Sequence, residues 1–118
     1  MINLKRIDHI TLTYPSGQKE EAFHFYSDVL QLPEIPGNHP NGAIWLKAGN
    51  IELHLVAESK GSPSARHPGF EVENLEEAKK HLQDQGVEIT YSSKIEGRER
   101  CFFRDPFDNR IELLAYDR

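Results

Sequence analysis

The sequence lacks the features expected of an exported, membrane-spanning or nucleic-acid-binding protein. One cysteine, Cys101, occurs among 118 residues, which excludes an intrachain disulfide and favours a reducing cytoplasm. No apolar run approaches the roughly 20 residues of a membrane span, and Met1 to Arg6 shows no apolar signal-peptide core. The formal charge of −5 disfavours nucleic acid and anionic membranes as partners, because phosphate binding requires a basic face.

The features that are present indicate one globular domain. A chain of 118 residues can bury roughly two thirds of its extended surface, and an apolar fraction of 37% is ordinary for a globular protein. Cys101 falls in an apolar strand-like run, which favours a small buried hydrophobe over a nucleophile.

Two short apolar runs, one near the middle of the chain and one near its end, each follow a turn and carry one carboxylate, Glu52 or Glu112. These glutamates are 60 positions apart, and two histidines in strand-like runs, His9 and His67, are 58 positions apart. Pro68 cannot donate a ladder hydrogen bond, so it must lie at the start or on an edge of its strand. Each half reads strand–helix–strand–strand–strand, and a structural duplication explains this repetition.

The spacing of apolar residues predicts where helices and strands lie. Steps of three and four residues predict an amphipathic helix over residues 19–30, and Asn74 caps a second helix that ends before Gly86. Residues 32–42 form a loop with at most a short strand, and residues 58–65 link the two halves. The predicted strands span residues 4–14, 43–48, 51–57, 67–73, 87–91, 100–104 and 111–116.

Strand parity places four polar side chains on the face that the helices leave open. Successive strand residues point to opposite sides of a sheet, and the apolar neighbours lie opposite each polar residue, as Ile10 and Leu12 do around His9. Two imidazoles and two carboxylates would supply a six-coordinate metal site with room for water or substrate. This donor set suits Fe, Mn, Ni, Co or Zn, among which the sequence does not choose. The candidate ligands are His9, Glu52, His67 and Glu112.

Three motifs that together span the chain are Ile7–Leu12, Ala22–Leu32 and Asp105–Leu113. They resemble the opening strand, the first helix and the closing hairpin of the vicinal-oxygen-chelate superfamily. That superfamily includes glyoxalase I, extradiol dioxygenases, fosfomycin-resistance thiol transferases and bleomycin-resistance proteins. Asp108 departs from the motif, which usually has glycine there, although aspartate tolerates the left-handed conformation at modest cost.

The resemblance implies an α+β fold. Two βαβββ modules, at about residues 4–57 and 66–118, would form an open cup-shaped mixed sheet with the helices on its outer face. The two modules would make one domain, and the family pattern further implies a homodimer.

The resemblance also implies a ligand set. His9, Glu52, His67 and Glu112 match the four-ligand arrangement of glyoxalase I, whereas thiol transferases and extradiol dioxygenases use a triad that His9, His67 and Glu112 would supply. His54 shares the parity of Glu52, so it replaces Glu52 as a ligand or binds substrate.

Three further residues are candidates for substrate binding. Arg100 and Arg104, which share a parity with Arg98, would donate to an anionic substrate group, or they are solvated edge residues. Trp45 lines a pocket or belongs to the core.

The leading hypothesis is a metal-dependent lyase of glyoxalase type that acts on a hemithioacetal or a related carbonyl compound. The metal would act as a Lewis acid on two neighbouring substrate oxygens, and either Glu52 or Glu112 would leave the metal to shuttle the substrate proton as general base. One alternative is a metal-free protein of bleomycin-resistance type that sequesters an aromatic or cationic ligand. Another is a thiol transferase acting on a phosphonate antibiotic.

Overall fold

The structure is a computed structural model that describes residues 1–59 and 64–117. The chain divides into two compact units, Met1–Lys60 and Gly61–Arg118. Each unit contains helix and one three-stranded mixed sheet, which confirms the α+β class and the duplication. The interpretation of the modules as one domain bounded at residues 4–57 and 66–118 stays a prediction. Residues 60–63 of the predicted linker lie outside the described residues. Within the described part of the chain, no helix is long and apolar enough to cross a membrane.

Unit 1 places its first strand beside its last. Its sheet has the order β1-β3-β2, in which β1 runs parallel to β3 and β2 runs antiparallel to it. The elements are β1 (His9–Pro15), α1 (Lys19–Phe23), a π-helix (His24–Val29), a 3₁₀ turn (Pro40–Gly42), β2 (Ile44–Ala48) and β3 (Ile51–Glu58).

Unit 2 repeats this arrangement. Its sheet has the order β4-β6-β5, with β4 parallel to β6 and β5 antiparallel to β6. The elements are β4 (Gly69–Glu71), α2 (Leu75–Asp84), β5 (Arg98–Arg104) and β6 (Arg110–Tyr116). The predicted cap of α2 is confirmed, since Asn74 Oδ1 accepts from the Glu77 amide at 3.1 Å and Gly86 follows the helix at φ +80°.

Apolar side chains cover one face of each sheet. In unit 1 Leu46, Leu53 and Leu55 are buried with the helical residue Tyr26, and full burial of a leucine contributes roughly 1.5–3 kcal/mol. In unit 2 the buried residues include Cys101, and burial raises the pKa of its thiol. The interpretation of Cys101 as a buried hydrophobe is therefore confirmed.

Three predicted strands are shorter than expected. The first begins at His9 rather than at residue 4, because His9 pairs with Glu52 near the start of β3 and earlier residues pass beyond the β2–β3 turn. The strand predicted for residues 67–73 spans only Gly69–Glu71 and begins after Pro68, which has no amide hydrogen.

The strand predicted for residues 87–91 is reduced to one bridge, between Thr90 and Phe102. Its first residue, Val87, instead donates to the Leu82 carbonyl at 2.9 Å and so closes α2. Unit 1 has a matching bridge between Glu34 and Leu46.

The first helix is confirmed, but its second half is a π-helix. The Leu30 amide donates to Phe25 O at 2.9 Å, five residues back. The helix is followed by Gln31, an exposed residue with φ of 61°. This left-handed conformation is costly for a residue that carries a Cβ.

We predict that Gln31→Gly stabilises the protein by about 0.5–1 kcal/mol, because relief of the left-handed strain exceeds the entropy that glycine adds to the unfolded chain. Urea unfolding with an unchanged m-value measures this change. The matched control is Gln85→Gly, since Gln85 has φ of −89° and carries no such strain. The prediction fails if both substitutions lower the unfolding midpoint.

Candidate functional site

The open face of the unit 1 sheet carries four of the predicted site residues. Trp45 on β2 lies opposite His54 on β3, and His9 on β1 lies opposite Glu52 on β3. All four share one parity, while Leu53 and Leu55 point to the other, buried face. The parity prediction for β1 and β3 is therefore confirmed at the level of this sheet.

Four aromatic rings on this face form a continuous column, here called the ring stack. Its members in order are His39, Trp45, His54 and His9. Successive ring centroids are 4.1, 4.1 and 4.2 Å apart, and the planes meet at 13°, 4° and 17°. Both faces of the Trp45 ring are therefore covered, so a ligand can contact this indole only at its edge.

The polar atoms of the ring stack pair with neighbouring oxygens. His54 Nε2 lies 2.9 Å from Glu52 Oε1, and His9 Nδ1 lies 3.0 Å from Asp8 Oδ2. The hydrogen bond from His9 lowers the pKa of the Asp8 carboxyl. A carboxylate on Nδ1 directs the opposite ring nitrogen, Nε2, away from it, which is how second-shell groups orient a metal-binding histidine.

Unit 2 pairs its two candidate ligands directly. His67 Nε2 lies 2.9 Å from Glu112 Oε1, and its Nδ1 lies 2.8 Å from the Ala65 carbonyl oxygen. Glu112 is buried, and Arg100 Nη1 lies 3.7 Å from Glu112 Oε1. The prediction that His67 lies within a strand is wrong, because this residue precedes β4, yet its ring still reaches the glutamate of the last strand.

The register of the two sheets shows why His67 precedes β4. Glu52 pairs with His9, whereas Glu112 pairs with Gly69. Glu112 follows Glu52 by 60 positions and Gly69 follows His9 by 60 positions, so Gly69 is the residue of unit 2 equivalent to His9. His67, which follows His9 by 58 positions, lies two residues before it. Sequence spacing alone suggested an equivalence that strand pairing does not support.

The predicted arginines lie on the same face of β5 as Phe102. The guanidiniums of Arg100 and Arg110 lie 5.1 and 4.0 Å from the centroid of the buried Phe102 ring. Arg100 also donates to the Ser93 carbonyl at 2.7 Å. Arg104 donates to the Ser64 carbonyl at 3.1 Å and to the Asp108 carbonyl at 2.7 Å, and so ties these two backbone segments together.

The turn before β6 is held together by one buried carboxylate, that of Asp105. Asp105 Oδ1 accepts from the Phe107 and Asn109 amides at 2.9 and 2.8 Å, and Asp105 Oδ2 accepts from Asn109 Nδ2 at 2.7 Å. Asp108 adopts φ of 69°, the left-handed conformation for which the motif usually has glycine. The substituted aspartate thus preserves the expected turn.

Three contributors escaped the sequence reasoning. His39, which was not among the candidate site residues, comes from a loop and ends the ring stack. Asp8 binds His9, and its position directly before that histidine was the available signal. Arg110, which lies on the Phe102 ring, gave no signal because the pairing of β5 with β6 brings them together.

The potential ligands occur as pairs. Across residues 1–59 and 64–117, no group of three or more His, Cys, Asp or Glu side chains could hold a metal ion. His9 and Glu52 are strand neighbours in unit 1, and His67 and Glu112 are bonded in unit 2. The atom types in these pairs fit a divalent cation. In His9 and in His67 the Nδ1 atom lies beside an oxygen acceptor, which leaves Nε2 for a metal, and the other member of each pair is a glutamate.

The family model described as the Glyoxalase/Bleomycin resistance protein/Dioxygenase superfamily matches residues 6–113. The chain belongs to this superfamily. A glyoxalase-family protein from Bacillus anthracis is 35% identical, with 99% of this chain and 100% of that chain covered and a TM-score of 0.89. No curated protein matches the sequence significantly.

Two further structures show the reach of the superfamily fold. Lactoylglutathione lyase from Agrobacterium tumefaciens is 20% identical, covering 96% of this chain and 95% of that chain, with a TM-score of 0.78. TnmS3, an antibiotic binding protein from Streptomyces sp. CB03234, is 17% identical, covering 99% and 100%, with a TM-score of 0.77. At these identities the likeness shows the fold alone, and the proteins that share this fold include an enzyme and a binding protein.

We predict that Asp105→Ala destabilises the protein by about 2–4 kcal/mol, because it removes a buried acceptor of three hydrogen bonds. Chemical denaturation measures the loss. Asp84→Ala is the control, since the exposed Asp84 pairs with Lys80 and a surface pair contributes about 0–1 kcal/mol. Equal effects of the two substitutions would contradict a special role for the turn.

Proposed function

We propose that this superfamily member is a metal-dependent lyase of glyoxalase type that acts on a small hemithioacetal or related carbonyl compound. The observation that supports it best is the matched polarity of the two candidate histidines. Each has Nδ1 beside an oxygen, Asp8 Oδ2 in unit 1 and Ala65 O in unit 2. With Nδ1 beside an oxygen, Nε2 is the nitrogen that would bind a metal. His67 Nε2 lies 2.9 Å from Glu112 Oε1, so a cation would take the place of the proton that this pair shares, and His9 is the strand neighbour of Glu52.

The proposed ligands are His9 and Glu52 from unit 1 and His67 and Glu112 from unit 2. They would hold Zn, Ni, Mn, Co or Fe in its divalent state, all of which accept mixed nitrogen and oxygen donors. When bound, such a cation polarises neighbouring substrate oxygens as a Lewis acid.

The residues of the chain would supply the proton transfer. Either Glu52 or Glu112 takes the substrate proton at a carboxylate oxygen and returns it to the neighbouring carbon. Glu52 accepts a hydrogen bond at Oε1 from His54. Glu112 is held beside His67 and Arg100.

The proposed substrate contacts come from the same sheet faces. Arg100 and Arg104 would donate to an anionic group of the substrate, and of the two Arg100 lies nearer to the site through Glu112. His54 and Trp45 would contact the substrate by their ring edges, since their faces are covered. A cytoplasmic homodimer completes the proposal, and light scattering tests the oligomeric state.

A metal-free binding protein is the second candidate. The half-exposed ring of His9 at the end of the ring stack favours it, because a planar ligand can stack on an open ring face. The fold it shares with an antibiotic binding protein is compatible with this function.

We predict near-stoichiometric divalent metal in protein purified without chelators, together with turnover of methylglyoxal in the presence of a thiol. Replacing the true general base, through Glu52→Gln or Glu112→Gln, should lower kcat about 100-fold or more. Glu58→Gln is the control, because Glu58 is an exposed residue of the same strand as Glu52. Metal analysis and steady-state kinetics with several thiols make the measurement.

The outcomes separate the candidates. If the purified protein contains no metal and Glu52→Gln and Glu112→Gln have the same kcat as the wild type, the enzyme proposal is refuted and the metal-free binding protein remains. A thiol transferase would instead consume a phosphonate antibiotic, tolerate Glu52→Gln and lose activity in Arg100→Ala.

A further inference from the structure

We propose that His54 is a positioning residue for both unit 1 ligands, and that Trp45 and His39 hold it in place. The inference rests on the proposed function, because it takes His9 and Glu52 as metal ligands. His54 is not one of the four proposed metal ligands, but within the ring stack it is the side chain that contacts both His9 and Glu52.

Each contact of His54 constrains a different ligand. Its Nε2–H donates to Glu52 Oε1 at 2.9 Å, since a carboxylate can only accept. Its ring face lies on the His9 ring with centroids 4.2 Å apart. The first contact orients the carboxylate, and the second limits rotation of the His9 imidazole.

The orientation of His54 is in turn set from behind. Trp45 covers its other face at 4.1 Å with planes 4° apart, and the His54 side chain is 11% exposed. Rotation of the imidazole about its side-chain bonds would push it into one of two flanking rings. Trp45 and His54 are direct cross-strand partners, so their side chains lie side by side on one face of the sheet.

His39 closes the far end of the ring stack from an anchored loop. Its Nε2 donates to the Ile35 carbonyl at 2.8 Å, and the Ile35 amide donates to the Trp45 carbonyl at 2.8 Å. The loop is thus tied to the strand whose indole it covers, and His39 restrains the outer face of Trp45.

Among residues 64–117, the described part of unit 2, no equivalent column of stacked rings is found. By strand register, the positions that match Trp45 and His54 are occupied by Arg100 and Leu114. There the ligand pair is oriented by a direct His67–Glu112 bond and by Arg100. The two units therefore orient their carboxylates differently: Glu52 meets an imidazole held within the ring stack, whereas Glu112 meets His67, whose ring contacts Phe102 edge-on with centroids 5.3 Å apart.

The test measures metal binding rather than turnover. Zn²⁺ affinity is determined by calorimetry, and the absorption spectrum of bound Co²⁺ reports ligand geometry. His54→Phe keeps a ring and removes the donor, His54→Gln keeps a donor and removes the ring, and Trp45→Leu removes the ring behind. We expect roughly 10–100-fold weaker Zn²⁺ binding for both His54 variants, a smaller loss for Trp45→Leu, and a shifted Co²⁺ spectrum in all three.

The control is His24→Gln, which alters an exposed histidine bonded to Asp28 and should leave affinity and spectrum unchanged. The unfolding midpoint of each variant shows whether it folds, and Trp45→Phe replaces Trp45→Leu if the leucine variant does not. The chain has one tryptophan, so emission from Trp45 gives a second readout of the ring stack during Zn²⁺ addition.

If the wild-type protein binds Zn²⁺ and the His54 variants bind it equally tightly with an unchanged Co²⁺ spectrum, the inference is overturned and the proposed function stands. Wild-type protein that binds neither Zn²⁺ nor Co²⁺ would overturn both. Weakened binding with a shifted spectrum in folded variants would support the positioning role.

Discussion

The parallel pairing of the first and last strands of each unit is the constraint on which the candidate site depends. The Glu52 amide donates to the Asp8 carbonyl at 3.1 Å, and the Glu112 amide donates to the Pro68 carbonyl at 3.0 Å. These two bonds bring each acidic residue beside the segment that carries its histidine. A shift of one residue in either register would turn the glutamate toward the apolar face.

The duplication applies to the backbone more closely than to the side chains. Both units have the same strand order and the same glutamate register. The surroundings of the glutamates differ, because Glu52 meets a stacked imidazole while Glu112 meets an imidazole and a guanidinium. The two units therefore share the position of the carboxylate but differ in the groups that orient it.

This difference bears on how one superfamily supports unlike functions. The fold is shared by a lyase and an antibiotic binding protein, so activity has to be decided by the side chains on the open faces. In this chain His9, Glu52 and Glu112 lie on strands, whereas His67 lies just before β4.

Much of the fold could be predicted from the sequence because its signals are local. Apolar periodicity located the helix beginning at Lys19 and the strands β2, β3, β5 and β6, and Asn74 and Gly86 marked the ends of α2. Strand parity also identified the face on which His9, Glu52 and His54 lie. The π-helical half of the first helix escaped prediction, since the same apolar spacing fits either hydrogen-bonding pattern.

Tertiary pairing decided what the sequence alone could not. Where β1 begins depends on the strand beside it, and the single bridge at Thr90 depends on Phe102. The ring stack joins residues from a loop and three strands, and Arg110 meets Phe102 only because β5 pairs with β6. Periodicity reports which side of an element is apolar, a property of neighbouring residues in the chain. Contacts between distant residues depend on strand register, which is settled only when the hydrogen bonds between strands form.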